Sequence, residues 1–499
     1  MIPAFEPFRE IYESGQPQVV WTSLTADLET PVSAYLKLVR PGETACLLES
    51  VTGGNVRNRY SFIGLAPDLI WRTNDGRAEI ARGVGNESAF QPATGDPLET
   101  LSAIVDESRI ELPPHLPPMA AGLIGYLGYD MVRLMEKLPA AKPDPLGTPD
   151  ALFMRPTIMV VFDIVKEELT LVTPVRPADG QGEGQDAEAA YAEARQRLED
   201  ISQRLRAPLP AALPGEALAT PEVTSNTGRD DYIAMVGRAR EHIAAGDIFQ
   251  VVLSQRFSRP FALPAFSLYR ALRRSNPSPF MYFLDFSGFQ IVGASPEILV
   301  RLRDGEVTVR PIAGTRPRGA DEAEDAALEK ELLADPKERA EHLMLLDLGR
   351  NDVGRVAEPG SVRVTERDFV ERYSHVMHIV SNVTGRLRQG LGALEALKAG
   401  FPAGTVSGAP KIRAMEIIDA LEKEKRGIYA GAVGYFASGG TMDTCIILRT
   451  AVVKDGVMHV QAGAGIVWDS DPAAEHEECR HKAMALFAAA EAAELGDKT

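Results

Sequence analysis

The chain has 499 residues, 45% hydrophobic and 25% charged, a globular composition with length for one large core or several smaller ones and one that excludes dominant disorder. Its formal net charge is -17 and it contains no Lys/Arg run, which argues against a nucleic-acid or anionic-membrane surface, so any anionic ligand must be held by local charge. Met1-Ile-Pro-Ala-Phe-Glu-Pro-Phe-Arg-Glu10 lacks the basic segment and apolar run of a signal peptide, no stretch reaches transmembrane length, and Cys46, Cys445 and Cys479 form no CxxC pair. The expectation is a cytoplasmic protein with reduced, buried thiols and no zinc cage.

Residues 1–175 read as strand-rich: Ala45 to Leu48, Tyr60 to Ile63 and Leu69 to Trp71 are short apolar or aromatic runs, and Asn74-Asp75-Gly76 is a turn signal before another strand. Composition then shifts over 176–228 to a linker: the Gly/Gln tract 180–184, one exposed polar helix near 187–206, and a Pro/Ala-rich stretch over 207–215. From 229 to 499 the pattern is denser. A helix near 230–245 carries Ile233, Val236 and Ile243 on one face and stops at Gly246. A strand follows, in which Phe249, Val251 and Leu253 alternate with Gln250, Ser254 and Arg256. Asp304-Gly305 and Asp455-Gly456, each between apolar alternations, signal hairpins. The predicted class is α+β, with large antiparallel sheets forming a β-sandwich-like core and helices packed on the outside.

Two carboxylate pairs stand out. Asp335-Pro-Lys-Glu-Arg-Ala-Glu341 starts a helix with Asp335 as N-cap and Pro336 at its first position, and sets Glu338 and Glu341 on one face. Ser470-Asp-Pro-Ala-Ala-Glu475-His-Glu-Glu478 repeats the device, with Glu475, Glu478 and Lys482 sharing a face. Clustered oxygens of this hardness suit Mg²⁺, which commonly completes its shell with substrate oxygens, while solvated helix faces and a capping box at Glu338 give the same spacing. Other patterns fall short. His476 and His481 are too far apart for a zinc helix, Gly404-Thr-Val-Ser-Gly408 has its serine one place late for a nucleophile elbow, and Gly463-Ala-Gly465 lacks the third glycine of a dinucleotide fingerprint. Those two glycines still allow backbone N–H groups to approach a ligand carboxylate.

The segments Pro311-Ile-Ala-Gly-Thr-Arg-Pro-Arg-Gly319, Asp347-Leu-Gly-Arg-Asn-Asp-Val-Gly-Arg355, His375-Val-Met-His-Ile-Val-Ser-Asn-Val-Thr-Gly385, Phe401-Pro-Ala-Gly-Thr-Val-Ser-Gly-Ala-Pro-Lys411 and Gln461-Ala-Gly-Ala-Gly465 resemble the chorismate-utilising enzyme family across about 228–490. Leu47-Leu-Glu-Ser50 and Arg59-Tyr-Ser-Phe-Ile-Gly64 are similar to the anthranilate synthase branch of that family. The resemblance implies that Glu341 and Glu478 hold Mg²⁺ on the substrate's ring carboxylate, with Glu338 and Glu475 supporting. It implies chorismate contacts at Gly314, Thr315, Tyr429, Arg449, Gly463, Ala464, Gly465 and Lys482, with Arg449 on the enolpyruvyl carboxylate. It gives His378 acid/base work, either as the C4 hydroxyl leaves or in the later proton removal, and puts Thr405 in the catalytic motif around 401–411. Water-adding relatives carry Lys where this chain has Gln250, and covalent relatives carry Lys where it has Ala313, so the implied nucleophile is ammonia.

None of the three cysteines sits in a glutaminase elbow, which implies a separate glutamine amidotransferase subunit and hence a hetero-oligomer. The N-terminal resemblance implies a tryptophan feedback site at Leu48, Glu49 and Ser50 with Pro279, Phe280 and Met281, Phe280 standing where Tyr is usual. The organisation expected is a regulatory region over 1–175, the linker, and a chorismate-binding catalytic region over 229–499.

Overall fold

The computed structural model describes residues 1–50, 59–83, 90–139, 142–177, 186–210, 221–373 and 376–496. The Gly/Gln tract 180–184, the end of the Pro/Ala stretch from 211 onward, and His375 lie outside the described residues. Among those described, 22 strands form one hydrogen-bonded network, and neighbouring strands pair antiparallel, as the Asp-Gly turns require. Asp75-Gly76, Asp304-Gly305 and Asp455-Gly456 each have both residues at positive φ, between +46° and +74°. That is the type I′ geometry whose twist matches the flanking strands.

Alternation along the strands divides the network into two packed layers. In one layer, Ala45, Leu47, Met281, Phe283, Val292 and Ala294 face outward onto the helices Pro31–Leu38, Ala187–Leu205, Ala265–Ser275 and Pro472–Leu495. Their neighbours Cys46, Tyr282, Leu284 and Ile291 face inward. In the other layer Leu123, Leu127, Ala432, Phe436, Met442 and Val300 face outward onto helices Pro97–Glu107, Pro336–Val356 and Ala393–Gly400. There Ile124, Tyr126, Val433 and Cys445 face inward to meet the first layer. This is the expected sandwich with outer helices. Two long strands, Tyr60–Asn74 and Ala151–Asp163, pair along most of their length and connect the layers. The two apolar runs from Tyr60 and Leu69 are therefore one strand.

Three local readings change. The helix Ala187–Leu205 is docked rather than exposed: Ala190, Ala194, Leu198 and Ile201 are buried in the first outer core. The helix Arg229–Ala244 does end before Gly246, at φ +81°, but it buries Tyr232, Met235, Val236 and Ala239, while Ile233 and Ile243 are only half-buried. Phe249 lies outside the strand Gln250–Pro260 and is 72% exposed, whereas Gln250, Ser254 and Arg256 are buried along with Val251 and Leu253. Both faces of that strand are covered, the polar one by charged groups of the site.

Candidate active site

The site lies where the two layers exchange chain. Strand Phe289–Ser295 belongs to the first layer and Ile298–Arg303 to the second, while Met442–Ile446 and Thr450–Lys454 make the reverse crossing. The two crossings carry Glu297 and Arg449. Strands Gln250–Pro260 and Val457–Ile466 pair so that Val252 opposes Gly465 and Ser254 opposes Gly463. A Cβ on Gly465 would lie 2.5 Å from Gln250 Nε2, and one on Gly463 would lie 2.8 Å from the Tyr429 hydroxyl. The glycines thus open the backbone to the space between Gln250 and Tyr429, with Ala464 buried behind them.

Both glutamate pairs ride on capped helix starts, as the sequence signals. Asp335 accepts from Lys337 N and Glu338 N, and Asp471 accepts from Ala473 N and Ala474 N, with Pro336 and Pro472 in the first turns. Gln250 Nε2 donates to Glu341 Oε1 at 3.2 Å. Burial pushes the Glu341 carboxyl above its ordinary range, and the charges of Glu338 and Glu478 push the same way. Burial likewise raises Glu475, opposed by a Ser470 hydrogen bond and reinforced by Glu478. Glu341 thus feels Glu338 and Glu478, and Glu475 feels Glu478, an accumulation of negative charge that a cation would relieve. Each leans on a neighbour instead: Lys482 Nζ is 2.6 Å from Glu478 Oε1, and Arg316 Nη1 is 3.3 Å from Glu338 Oε1. Among the described residues no group of three or more acidic, His or Cys side chains converges as a ligating cage. Lys482 Nζ also donates to Gly463 O at 3.0 Å, tying the last helix to the glycine strand.

Opposite these helices, Gly314 and Thr315 bring their strand to His378. His378 Nδ1 lies 2.8 Å from Gly314 O and 3.2 Å from Thr315 Oγ1. The carbonyl can only accept, so the proton sits on Nδ1 and the Nε2 lone pair is left available. Burial lowers the imidazole's pKa below its ordinary value, the Gly314 bond opposes this, and nearby Arg449 adds to it. Gly314 has φ +67°, and Glu338 Oε2 would lie 3.1 Å from any Cβ added there. Arg449 also has a left-handed backbone, φ +49°, unusual outside glycine, and burial lowers its pKa.

Glu297 is the site residue that sequence reasoning missed. It is 5% exposed, Thr405 Oγ1 donates to its Oε1 at 2.9 Å, and burial raises its pKa to about 8 against the Thr405 bond, the Ile312 backbone bond and the Arg449 charge. It is protonated at neutral pH. The available signal was a lone charge inside the apolar run Gly293-Ala-Ser-Pro-Glu-Ile-Leu-Val300. Thr405 is placed by a buried arginine: Arg426 donates to Val406 O and Val252 O at 2.6 Å each and pairs with Glu422 at 2.6 Å.

The residues expected at the feedback site also meet. Strand Ala45–Glu49 pairs with Phe280–Phe286, setting Glu49 opposite Met281 and Leu48 opposite Tyr282. The Ser50 hydroxyl donates to Pro279 O. Glu49 is buried, accepting from the Tyr269 hydroxyl at 2.5 Å and from Arg273 at 2.8 and 3.0 Å.

A family model described as chorismate binding enzyme matches residues 57–488. The chain is 59% identical to anthranilate synthase component 1 of Cereibacter sphaeroides over 494 residues, covering 99% of this chain and 98% of that protein. It is 52% identical to the Pseudomonas putida protein of the same name, covering 94% of each chain. A crystal structure of anthranilate synthase component I from Streptococcus pneumoniae superposes with TM-score 0.75 at 39% identity, covering 93% of this chain and 98% of that one. The chain belongs to the chorismate binding enzyme family, alongside the anthranilate synthase component 1 proteins.

Proposed function

We propose that the chain is a lyase, the synthase subunit that converts chorismate and ammonia to anthranilate, pyruvate and water in the first step of tryptophan biosynthesis. The observation that carries this is Gln250, buried beside Glu341 at 3.2 Å. An amide cannot deprotonate water, so the nucleophile at C2 has to be one that attacks without prior deprotonation, as NH₃ does. Ala313, in the strand Ile312–Pro317, has no nucleophile to offer.

The chain's own groups divide the chemistry by protonation state. Glu297 enters protonated and gives its proton to the departing C4 hydroxyl, which leaves as water. His378 enters neutral, with its Nε2 lone pair free, and removes the C2 proton as the enolpyruvyl group leaves as pyruvate and the ring becomes aromatic. Arg449 holds the enolpyruvyl carboxylate, and the Gly463 to Gly465 backbone with Lys482 and Tyr429 holds the ring side. Gly314 and Thr315 border the same space through His378, and Thr405 orients Glu297. Glu341 and Glu478 would hold Mg²⁺, with Glu338 and Glu475 supporting, and the ion supplies positive charge to the ring carboxylate when bound.

The name component 1 carried by the relatives supports a second component. We take it to be a glutamine amidotransferase subunit in a cytoplasmic hetero-oligomer. The tryptophan response is carried by Leu48, Glu49 and Ser50 of residues 1–175 together with Pro279, Phe280 and Met281 of residues 229–499, which also carry the catalysis, with 176–228 between the two regions.

The test is the purified chain alone with chorismate, Mg²⁺ and concentrated ammonium at alkaline pH. Anthranilate and pyruvate should appear in equal amounts, and glutamine should not replace ammonium. A nonaromatic amine as the end product, or isochorismate or salicylate, would reject the assignment.

A further inference from the structure

The hydrogen bonds of His378 hold its imidazole by one corner. Nδ1 lies 2.8 Å from Gly314 O and 3.2 Å from Thr315 Oγ1, while Nε2, the atom that takes the proton, is at the far corner. The torsion that tilts an imidazole about such an anchor is soft, and a base has to point its lone pair within a narrow cone.

Tyr373 supplies a second constraint. Its ring packs against the imidazole with centroids 5.4 Å apart and planes at 64°, the edge-to-face arrangement that aromatic pairs prefer. Burial raises the pKa of its hydroxyl, and Glu371 and Glu297 push the same way, so the phenol keeps its proton and donates. The burial that lowers Arg449 is opposed by Tyr373 and Glu297. The phenol, the carboxyl and the guanidinium thus lie within electrostatic reach of one another, around the space where the substrate reacts.

Tyr373 is itself held on three sides. Its backbone N–H donates to Val376 O, its carbonyl accepts from Arg318 Nη1, and its hydroxyl donates to Glu371 Oε2, each at 2.8 Å. Behind these, Arg318 is gripped by Asp325 at 2.6 to 3.0 Å, and Glu371 by Arg310. Glu371 stands opposite His378 in the pairing of strands Arg363–Arg372 and Val376–Arg386, so the two side chains share a face of the sheet.

We propose that Tyr373 is a positioning residue for the base: its ring, held by Glu371 and Arg318, aims His378 Nε2 at the C2 proton of the aminated intermediate. The inference rests on the reading that His378 removes this proton. Amination at C2 makes no demand on the imidazole, so loss of the ring slows pyruvate elimination and spares the step before it. The signature is therefore a change of product.

The test is the ammonium assay with Mg²⁺, its products separated by mass spectrometry. Tyr373→Ala should raise the ratio of nonaromatic amine to anthranilate about tenfold, since a group misplaced by about 1 Å can cost about 10²-fold in rate. The KM for chorismate should stay within about twofold. Tyr373→Phe keeps the ring and should hold the ratio within about twofold of the wild type. If circular dichroism shows Tyr373→Ala unfolded, Tyr373→Leu, which also lacks the flat ring, replaces it with the same expected rise. The proposal is overturned if the variant without the ring keeps the wild-type ratio, however far its total rate falls, or if Tyr373→Phe raises the ratio as much. Failure of the underlying reading looks different: His378→Gln would itself leave the ratio at the wild-type value.

Discussion

Burial sets opposite protonation states on two side chains of one site, a carboxyl that keeps its proton and an imidazole that lacks one. The sign of the pH dependence follows. Loss of the Glu297 proton removes the acid, so at constant free NH₃ the kcat/KM for chorismate should fall as pH rises through about 8. Protonation of His378 removes the base, so the acid limb should lie below the ordinary imidazole range. Glu297→Gln should abolish the alkaline limb and lower kcat by about 10²-fold or more; a profile unchanged by that substitution would remove Glu297 from the chemistry. At the glutamate cluster, Glu341→Gln or Glu478→Gln should each weaken Mg²⁺ binding by about tenfold or more while circular dichroism stays unchanged. Calorimetric titration with Mg²⁺ measures this, and wild-type affinity in both variants would discard the metal assignment.

Among elements, the most informative pairing is Ala45–Glu49 against Phe280–Phe286, because it joins two segments far apart in sequence at one surface. Ser50→Phe should relieve tryptophan inhibition with little loss of uninhibited rate, since Ser50 follows the strand Ala45–Glu49 and donates to Pro279 O, while the glutamate pairs ride on the helices Pro336–Val356 and Pro472–Leu495. Tryptophan titrated calorimetrically into the wild type should bind; no heat there would sink the feedback reading. Glu49 has a second consequence. Glu49→Ala leaves the buried Tyr269 hydroxyl without its acceptor and Arg273 without its partner. It should therefore cost about 3 kcal/mol in urea unfolding, at the low end for a broken buried pair because Arg273 is a third exposed. The Asp-Gly hairpins and the Asp-Pro helix starts were legible because each is decided within a few residues, by positive φ at the turn or by a side chain reaching the next backbone N–H groups. Phe249 was not. Its exposure depends on where the strand begins and on the buried charges that cover its polar neighbours.

The whole molecule does not divide where its composition does. The first outer core contains Leu47 and Ile63 from the first 175 residues, Leu198 from the middle segment, and Phe283, Val460 and Leu486 from the last. The inner core joins Ile124 and Met154 to Tyr282 and Val452. Removing any segment exposes apolar faces of the others, so calorimetry should show one main unfolding transition. A separately produced 229–499 fragment should lack cooperative unfolding. Two well-separated transitions in the intact chain, or a stable fragment, would contradict this.

The sequence by itself determined what is local or patterned: an α+β chain with strand alternation, three Asp-Gly turns, two capped helices each bearing a Glu pair, and motifs that name the family. Through the family resemblance it also supplied the expectation for Gln250 and Ala313, which stand where water-adding and covalent relatives carry Lys, because the identity of a side chain is legible without its neighbours. Tertiary structure alone decided that Glu297 keeps its proton and His378 does not, since both depend on how much water the crossings between the layers exclude. It alone brought Leu146, Arg256, Tyr429 and His459 around one small cavity. A pKa or a void belongs to the space between elements, and no single stretch of sequence contains that space.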